Sequence, residues 1–505
     1  MTTHTTAIET QAEPRAGWRG WTALAVLMLP VLLVSVDNTI LNFALPAISR
    51  DLEPSSAEQL WIIDAYSLVL AGLLVTMGSF GDRVGRRRIL LIGAVGFTLV
   101  SVLAVFAPTA GWLIAARAAM GLFGACLMPS TMSLLRSIFP NRDQRRIAVA
   151  IWAGMFSGGA ALGPIAGGFL IEHLPWQSVF LLAVPVLVVL LVLAPVFVPE
   201  SRDPHPAPVD VVSIALSMLA LGPIAFGIKE IAVHGWAGAL PVVIGVVFAW
   251  LFVRRQLRAS APMLDMALFR RWGFTGSLLV NLFSVIALVG FLYFASQHLQ
   301  LIVGLSPMAA GIALVPGMLL SIAGGLAVTP IARRHSAAVV VPVCLTLALA
   351  GYLVVAFSGA HDLWLIVIAF TLLGAGVGAA ETVSGELILA NAPAAKAGAA
   401  SAVSEAAYEL GAVLGTSILG GILTAGYRST LAVPAGVPDD LAAHARETLA
   451  GAMNAADTLG GEVGRALRDA AAAAFDGGVA LTAFIGAGLV VLSGVIAATT
   501  LGRRR

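Results

Sequence analysis

Fourteen long apolar runs divide this 505-residue chain, and they constrain its fold more than any other feature of the sequence. About twenty consecutive apolar residues cross a lipid bilayer as an α-helix, and only helices or closed barrels satisfy every backbone polar group there. The sequence therefore predicts an all-α polytopic membrane protein with fourteen transmembrane helices. The runs begin near Trp21, Leu60, Ile89, Trp112, Ile147, Ser178, Val211, Ala239, Gly273, Pro307, Val339, Leu363, Gly398 and Gly478.

The composition agrees with a chain that lies mostly in lipid. Charged residues make up 11% of it, against about 25% in soluble domains, and apolar residues make up 59%. A net charge of +2 gives no reason to expect a nucleic-acid partner. Cys126 and Cys344 both lie inside apolar runs, which predicts buried free thiols and no metal site. The scarcity of lysine and the abundance of Ala and Gly suit a bacterial protein from a GC-rich genome.

The distribution of basic residues predicts the topology. An even number of spans places both termini on one side of the membrane. If that side is cytoplasmic, cytoplasmic segments carry 22 of the 29 Arg and Lys residues, outer segments carry six, and Arg117 lies within the membrane. The positive-inside rule then predicts cytoplasmic termini in a bacterial inner membrane, with residues 1–20 as a cytoplasmic tail rather than a cleaved signal.

One outer loop, residues 427–476, is much longer than the others. It is rich in Ala and carries four of the outer arginines. We expect a helical hairpin or a surface amphipathic helix there. A role in gating the exit and a passive solvated connector are equally compatible with the sequence.

The loop after the second span contains Gly81, Asp82, Arg83, Gly85 and Arg86. The glycines permit close backbone approach, Asp82 can pair with a neighbouring helix, and the arginines hold the loop at the cytoplasmic headgroups. This pattern resembles the loop signature of the major facilitator superfamily at nearly every position.

Three ionisable residues lie within the first four spans. Asp37 is accompanied by Asn38 and Asn42, and this stretch resembles the first-helix motif of the fourteen-helix drug:proton antiporters of that superfamily. Arg117 lies in a stretch that resembles the fourth-helix motif. Asp64 falls at a similar depth in the outer half, so the sequence predicts that the three charged groups meet; alternatively, Asp64 reaches the outer headgroups.

The fifth span carries Gly159, Gly163 and Gly167 at a spacing of four, which predicts close approach of a facing helix. Pro164 removes a backbone donor and favours a bend. Together with Gly168 this stretch resembles the motif that is associated with the antiporters of the superfamily.

The thirteenth span contains Glu405 and Glu409 on one helical face, with Tyr408 beside them. Two ionised carboxylates near the bilayer centre would repel each other, so at least one is expected to hold a proton near neutral pH, as a proton-coupling site requires. The alternative is a structural pair that is hydrogen-bonded to a neighbour.

The resemblance covers essentially the whole chain and implies an arrangement that the periodicity alone does not give. It implies a six-helix bundle over 21–200, two inserted helices over 201–258, and a second six-helix bundle over 259–505 that includes the outer loop. The motif after the tenth span is reduced to Arg333 and Arg334, so the internal repeat is strongly diverged.

The resemblance further implies a proton-coupled multidrug efflux antiporter that works by alternating access. Its cargo would be hydrophobic, mostly cationic compounds such as dyes, quaternary ammonium compounds and fluoroquinolones, and it would use the proton gradient without a cofactor. We expect a functional monomer in contact with membrane lipids. The aromatic residues that are candidates for the substrate cavity are Phe43, Tyr66, Trp152, Phe156, Phe291 and Tyr408.

Other functions fit the sequence less well. Neither lysine follows the glycine that a phosphate-binding loop places before it, and neither a nucleophile elbow nor a His-Glu-x-x-His helix occurs, so the chain is not expected to be an enzyme. A proton-coupled importer or exporter of a single metabolite or lipid precursor uses the same fold. The fifth-span motif and the fourteen spans favour drug antiport over that alternative.

Overall fold

The computed structural model describes residues 15–203, 210–259, 262, 264–358, 363–392 and 397–502. Within these residues, fourteen helices are long and apolar enough to cross a membrane. They are α1 (Trp18–Leu52), α2 (Ser56–Val84), α3 (Arg86–Val105), α4 (Ala110–Ile138), α5 (Arg142–His173), α6 (Ser178–Phe197), α7 (Val211–Ile231), α8 (Leu240–Arg258), α9 (Trp272–Ile302), α10 (Pro307–Ala332), α11 (Ala337–Phe357), α12 (Leu363–Ala390), α13 (Ala400–Thr430) and α14 (Gly461–Thr500). This confirms the predicted fold class and number of spans; most of the predicted tail, residues 1–14, lies outside the described residues.

Several helices begin before the apolar run because a polar cap extends them. At the start of α2, Ser55 Oγ accepts a hydrogen bond from the backbone N–H of Glu58, and the Glu58 carboxylate accepts one from the backbone N–H of Ser55 at 2.9 Å. Asn141 caps α5 through the backbone N–H groups of Asp143 and Gln144. Such caps satisfy backbone donors that have no partner within the helix.

Helices fill most of the predicted outer loop, residues 427–476. Two short helices, Asp439–Glu447 and Leu449–Leu459, follow α13, and α14 then begins at Gly461 rather than near Gly478. The 40 residues of α14 span roughly 60 Å at about 1.5 Å per residue, about twice the hydrocarbon core of a bilayer. Its charged first half therefore continues the apolar span as one helix.

Two separate hydrophobic cores lie on either side of the molecule. One consists of residues from α1 to α6 and the other almost entirely of residues from α9 to α14. In the first half α1 packs on α5 and α2 on α4, and in the second α10 and α11 both pack on α12. A bundle on each side of a central interface is the architecture of many secondary transporters.

The helices α7 and α8 pack on each other and bury the smallest share of their residues. An ion pair joins the start of α7 to the end of α8: Arg255 Nη2 lies 2.8 Å from Asp210 Oδ1. This hydrogen-bonded ion pair lowers the pKa of Asp210 well below its usual range. α7 also contacts α2 and the far end of α13, so α7 touches both bundles.

We call the end of the bundle that carries Arg86, Arg87, Arg88 and Arg142 the arginine-rich side. The close contacts between the two halves lie toward the opposite side: Gln300 Nε2 of α9 donates to the Phe43 carbonyl of α1 at 3.2 Å. Toward the arginine-rich side, residues of α2, α4 and α13 line a cavity of about 240 Å³.

Candidate functional site

The Asp37 carboxylate and the Arg117 guanidinium form an ion pair inside the first bundle. Arg117 Nη1 lies 2.6 Å from Asp37 Oδ2, and the side chain of Arg117 is 2% exposed. Its Nε donates to the Ile62 carbonyl at 3.2 Å, and the guanidinium lies 4.5 Å from the centroid of the Tyr66 ring. A charge at this depth in a membrane requires such partners. The structure therefore brings together two of the three ionisable residues that were expected to meet.

Glu409 connects the two halves of the molecule. Its Oε1 accepts a hydrogen bond from Asn38 Nδ2 of α1 at 3.0 Å, and the residue is 2% exposed. Because Asn38 follows Asp37, this contact places Glu409 next to the ion pair of the first bundle. Asn42, one turn further along α1, is buried as well, and no described residue hydrogen-bonds its Oδ1.

Glu405 lies one turn before Glu409 in α13 but has different surroundings. It lines the cavity toward the arginine-rich side, together with Asp82 and Ser79 of α2, Arg136 of α4, and Ser401. Its Oε1 is enclosed and has no hydrogen-bond partner among the described residues. One helical face thus presents a carboxylate at a cavity and a second carboxylate in a contact between bundles.

Asp64 does not join Asp37 and Arg117, and it does not reach the outer headgroups. Its side chain is 1% exposed, and its Oδ2 lies 2.9 Å from Nζ of Lys229. The expected cluster of three charged residues is therefore replaced by two separate ion pairs. Because a second cation is available from α7, Asp64 is neutralised without Arg117.

Lys229 is the functional candidate that sequence analysis missed. Its position near the end of an apolar run suggested an outer-loop residue, yet its side chain is 1% exposed. One signal was available: Lys229 is one of only two lysines in the chain and follows an uninterrupted apolar segment of α7. A lysine in such a place needs a buried partner or a path to water.

Three of the predicted aromatic residues form a continuous row. Trp152 stacks on Phe156 of α5 at 6.1 Å between ring centroids, and Phe156 meets Tyr408 of α13 edge-on at 5.5 Å. All three are half-buried. The row runs from the first half to the second next to Glu405 and Glu409, so it offers ring faces beside carboxylates.

The other three aromatic residues do not line a cavity in this conformation. Phe43, Tyr66 and Phe291 are each 0% exposed. Phe291 packs against Phe294 with 4.6 Å between ring centroids inside the second core, and Tyr66 lies beneath Arg117. Their bulk makes them effective core residues, which the sequence pattern does not distinguish from a binding surface.

The glycine stripe of α5 lies against α1. A Cβ atom at Gly159 would lie 2.9 Å from the Leu32 carbonyl oxygen, one at Gly163 would lie 3.0 Å from that of Val36, and one at Gly167 would lie 2.6 Å from Ile40. Gly168 instead faces α10, where a Cβ atom would lie 2.7 Å from the Pro307 carbonyl oxygen. The carbonyl of Pro164 also lies against α10, at Gly311.

The loop after α2 is fixed by the segment that follows α6. Asp82 accepts a hydrogen bond from Arg86 Nε at 2.8 Å, and the backbone N–H of Arg87 donates to Glu200 Oε1 at 3.0 Å. Gly85 has φ of +124°, and a Cβ there would lie 2.9 Å from the Glu200 carboxyl group, so only glycine fits. Arg83, the remaining residue of the motif, precedes this turn at the end of α2.

Two helical bundles that meet at a central interface, with two ion pairs buried among their helices, define a polytopic membrane transporter. The chain belongs to the Major Facilitator Superfamily, whose model matches residues 27–416. This confirms the family that the motifs indicated.

Relatives match nearly the whole chain. It is 51% identical over 503 residues to the multidrug efflux pump LfrA of Mycolicibacterium smegmatis, covering 99% of this chain and 100% of that protein. It is 35% identical to the methyl viologen resistance protein SmvA of Salmonella typhimurium, covering 91% and 93% of the two chains. A crystal structure of an inward-facing, unoccupied bacterial homologue of the human lysosomal transporter Spinster has a TM-score of 0.64 at 16% identity, covering 97% of this chain and 100% of that one. The last likeness concerns the fold alone.

Proposed function

We propose that this chain is a proton-coupled multidrug efflux antiporter that exports hydrophobic, mostly cationic compounds by alternating access. The main support for this proposal is the similarity to a multidrug efflux pump, at 51% identity over almost the full length. The acids at the bundle interface support the coupling to protons, since each can exchange a proton for a cation.

The proposed orientation places the arginine-rich side in the cytoplasm, with both termini there. The excess of arginine at that end supports it through the positive-inside rule. The cavity beside Glu405 then opens toward the cytoplasm, where substrates would enter from the cytosol or the inner leaflet.

In the proposed cycle, a lipophilic cation is attracted to Glu405 and Glu409 and packs on the row of Trp152, Phe156 and Tyr408. An aromatic face adds a cation–π attraction to the carboxylate charge. When the outer side opens, protons reach Asp37 and Glu409, and the loss of negative charge releases the cation. Deprotonation toward the cytoplasm resets the site, and no bound cofactor takes part.

The experiment that tests this function is ethidium efflux from cells that overexpress the protein. We expect efflux above that of control cells and its abolition by a protonophore. Efflux that persists in the protonophore would rule out proton coupling. Absence of efflux for ethidium, methyl viologen and quaternary ammonium compounds would instead favour a transporter of one endogenous compound.

A further inference from the structure

The ion pair between Lys229 and Asp64 joins three helices at one carboxylate. Lys229 Nζ of α7 lies 2.9 Å from Asp64 Oδ2 of α2, and Ser417 Oγ of α13 donates to the same oxygen at 2.9 Å. These helices belong to the inserted pair, the first bundle and the second bundle. The junction lies in the half of the molecule away from the arginine-rich side, where the bundles are in contact.

The ammonium group of Lys229 has a preformed environment. Its Nζ lies 3.7 Å from the centroid of the Trp61 ring, which in turn stacks on Phe226 of α7 at 6.4 Å. Leu68, Ala225 and Val413 pack into a small apolar cluster beside them. The aromatic face stabilises the cation, and the apolar cluster separates the pair from lipid and water.

The charges around the pair leave Lys229 as the balancing cation. Arg117, the buried cation of the first bundle, is paired with Asp37. The other polar groups that face Asp64 are uncharged. They are Tyr293 of α9 and the hydroxyl groups of Ser417 and Thr416 of α13. Among the described residues, Lys229 is thus the cation in contact with Asp64. Removing one member of such a pair would leave a single charge buried in an apolar environment, which is strongly unfavourable.

We propose that Lys229 is a positioning residue for transport, the resident counter-ion of Asp64, through which the inserted helices act on the contact between α2 and α13. The proposal rests on the proposed antiport. With the outer side closed, the pair holds the carboxylate against Ser417. When that side opens and α13 moves away, Lys229 stays with Asp64 and keeps it neutralised. Protons and drugs then exchange at Asp37, Glu405 and Glu409, and not at Asp64.

The test compares ethidium counterflow in proteoliposomes at equal pH on both sides, so that no proton gradient drives transport. For Lys229→Gln we expect a turnover lower by about tenfold or more at neutral pH, with a KM within about twofold of the parent. The stranded carboxylate is relieved when it binds a proton, so this variant should recover as the pH falls. Lys229→Arg should retain more than half of the activity, and Asp64→Asn combined with Lys229→Gln should exceed either single variant several-fold.

Met218→Ala is the matched control. Met218 lies on the same helix and packs on Gly72 of α2 without any charge, so its loss should not change the pH profile. Equal activity of Lys229→Gln and the parent at every pH would overturn the proposal. So would a double variant no better than the weaker single one, because Lys229 would then not act through Asp64.

Thermal unfolding of the purified variants supplies a readout that does not depend on transport. In a double-mutant cycle, the fall in apparent Tm of the Asp64→Asn, Lys229→Gln double variant should be smaller than the sum of the falls caused by the two single substitutions. Additive losses would overturn the pairing even if Lys229→Gln folds poorly. A parent protein that fails to move any cation would instead refute the proposed function, so the two failures are distinguishable.

Discussion

At the scale of single residues, the buried acids differ in whether a cation is paired with them. In this conformation Asp37 is paired with Arg117 and Asp64 with Lys229, whereas Glu405 and Glu409 have no cation in direct contact among the described residues. An acid without a fixed cation is free to accept a proton or a substrate cation. The two glutamates are therefore the residues with the greatest freedom to bind cargo.

Replacing Asp37 by Asn would leave Arg117 as an unbalanced buried cation. We expect Asp37→Asn to lower ethidium efflux in everted vesicles by about tenfold or more, because the stranded guanidinium repels cationic substrates and disturbs Asn38. Arg117→Lys should retain part of the activity and Arg117→Ala very little. Full efflux by Asp37→Asn would contradict the role of this pair.

The two glutamates of α13 allow a comparison within one helix. Glu409→Gln keeps an oxygen that can accept from Asn38 but loses the exchangeable proton, so turnover should fall while the fold is retained. Glu405→Gln removes a charge at the cavity, so KM for cationic dyes should rise several-fold with a smaller change in turnover. Kinetics in everted vesicles distinguish the two patterns, and identical effects of both substitutions would show that the glutamates act as one unit.

At the scale of helices, close packing fixes the relation of α1 to α5. The glycines of α5 at a spacing of four let its backbone approach α1, and Thr39 Oγ1 donates to the Ala160 carbonyl at 3.2 Å. The hydrophobic effect does not drive helix association inside lipid. Small residues at such an interface instead allow close van der Waals packing. Asp37 and Asn38 are positioned by this contact.

Adding one methyl group to the stripe should separate the helices. We expect Gly163→Ala to lower both the apparent Tm and the rate of efflux, because the new Cβ would overlap with the Thr39 side chain and crowd the Val36 carbonyl. Gly158→Ala is the matched control, since a Cβ at that position meets no atom within 4 Å. Equal stability of the two variants in detergent would show that the stripe is not a packing surface.

The sequence predicted the helices far better than the contacts of the buried charges. Long apolar runs are sufficient for the fourteen spans, and the stripe from Gly159 to Gly167 indicates a close helix pair without naming α1. The partner of Asp64 depends on how α7 packs against α2, which no local pattern specifies. Phe291 illustrates the same limit, since an aromatic residue in an apolar run looks alike in a core and at a cavity.

At the scale of the whole molecule, the two sides differ in both charge and closure. Arginines gather at the end where the cavity beside Glu405 lies, and the bundles touch at the other end through Gln300 and Phe43. In the proposed orientation this contact between the bundles lies in the outer half of the molecule. Exchange of one proton for one monovalent cation would be electroneutral, whereas two protons would also use the membrane potential, about 2.3 kcal/mol per charge per 100 mV.

Cysteine labelling can test the proposed orientation. In a protein whose Cys126 and Cys344 are replaced by Ala, we expect a membrane-impermeant maleimide to label Thr458→Cys in intact cells. Asp143→Cys, at the arginine-rich start of α5, should be labelled only after the cells are opened. Both positions are exposed, so the reverse pattern would invert the topology.

Lys229 also determines whether the protein could do without the helices α7 and α8. α7 and α8 lie at the periphery and bury little of their own surface. Among the described residues, Lys229 of α7 is the cation that contacts Asp64. Deleting α7 and α8 would therefore leave the Asp64 carboxylate without a cation in a hydrophobic environment. A twelve-helix variant without α7 and α8 would also need a neutral residue at position 64, so a single ion pair makes these two helices difficult to remove.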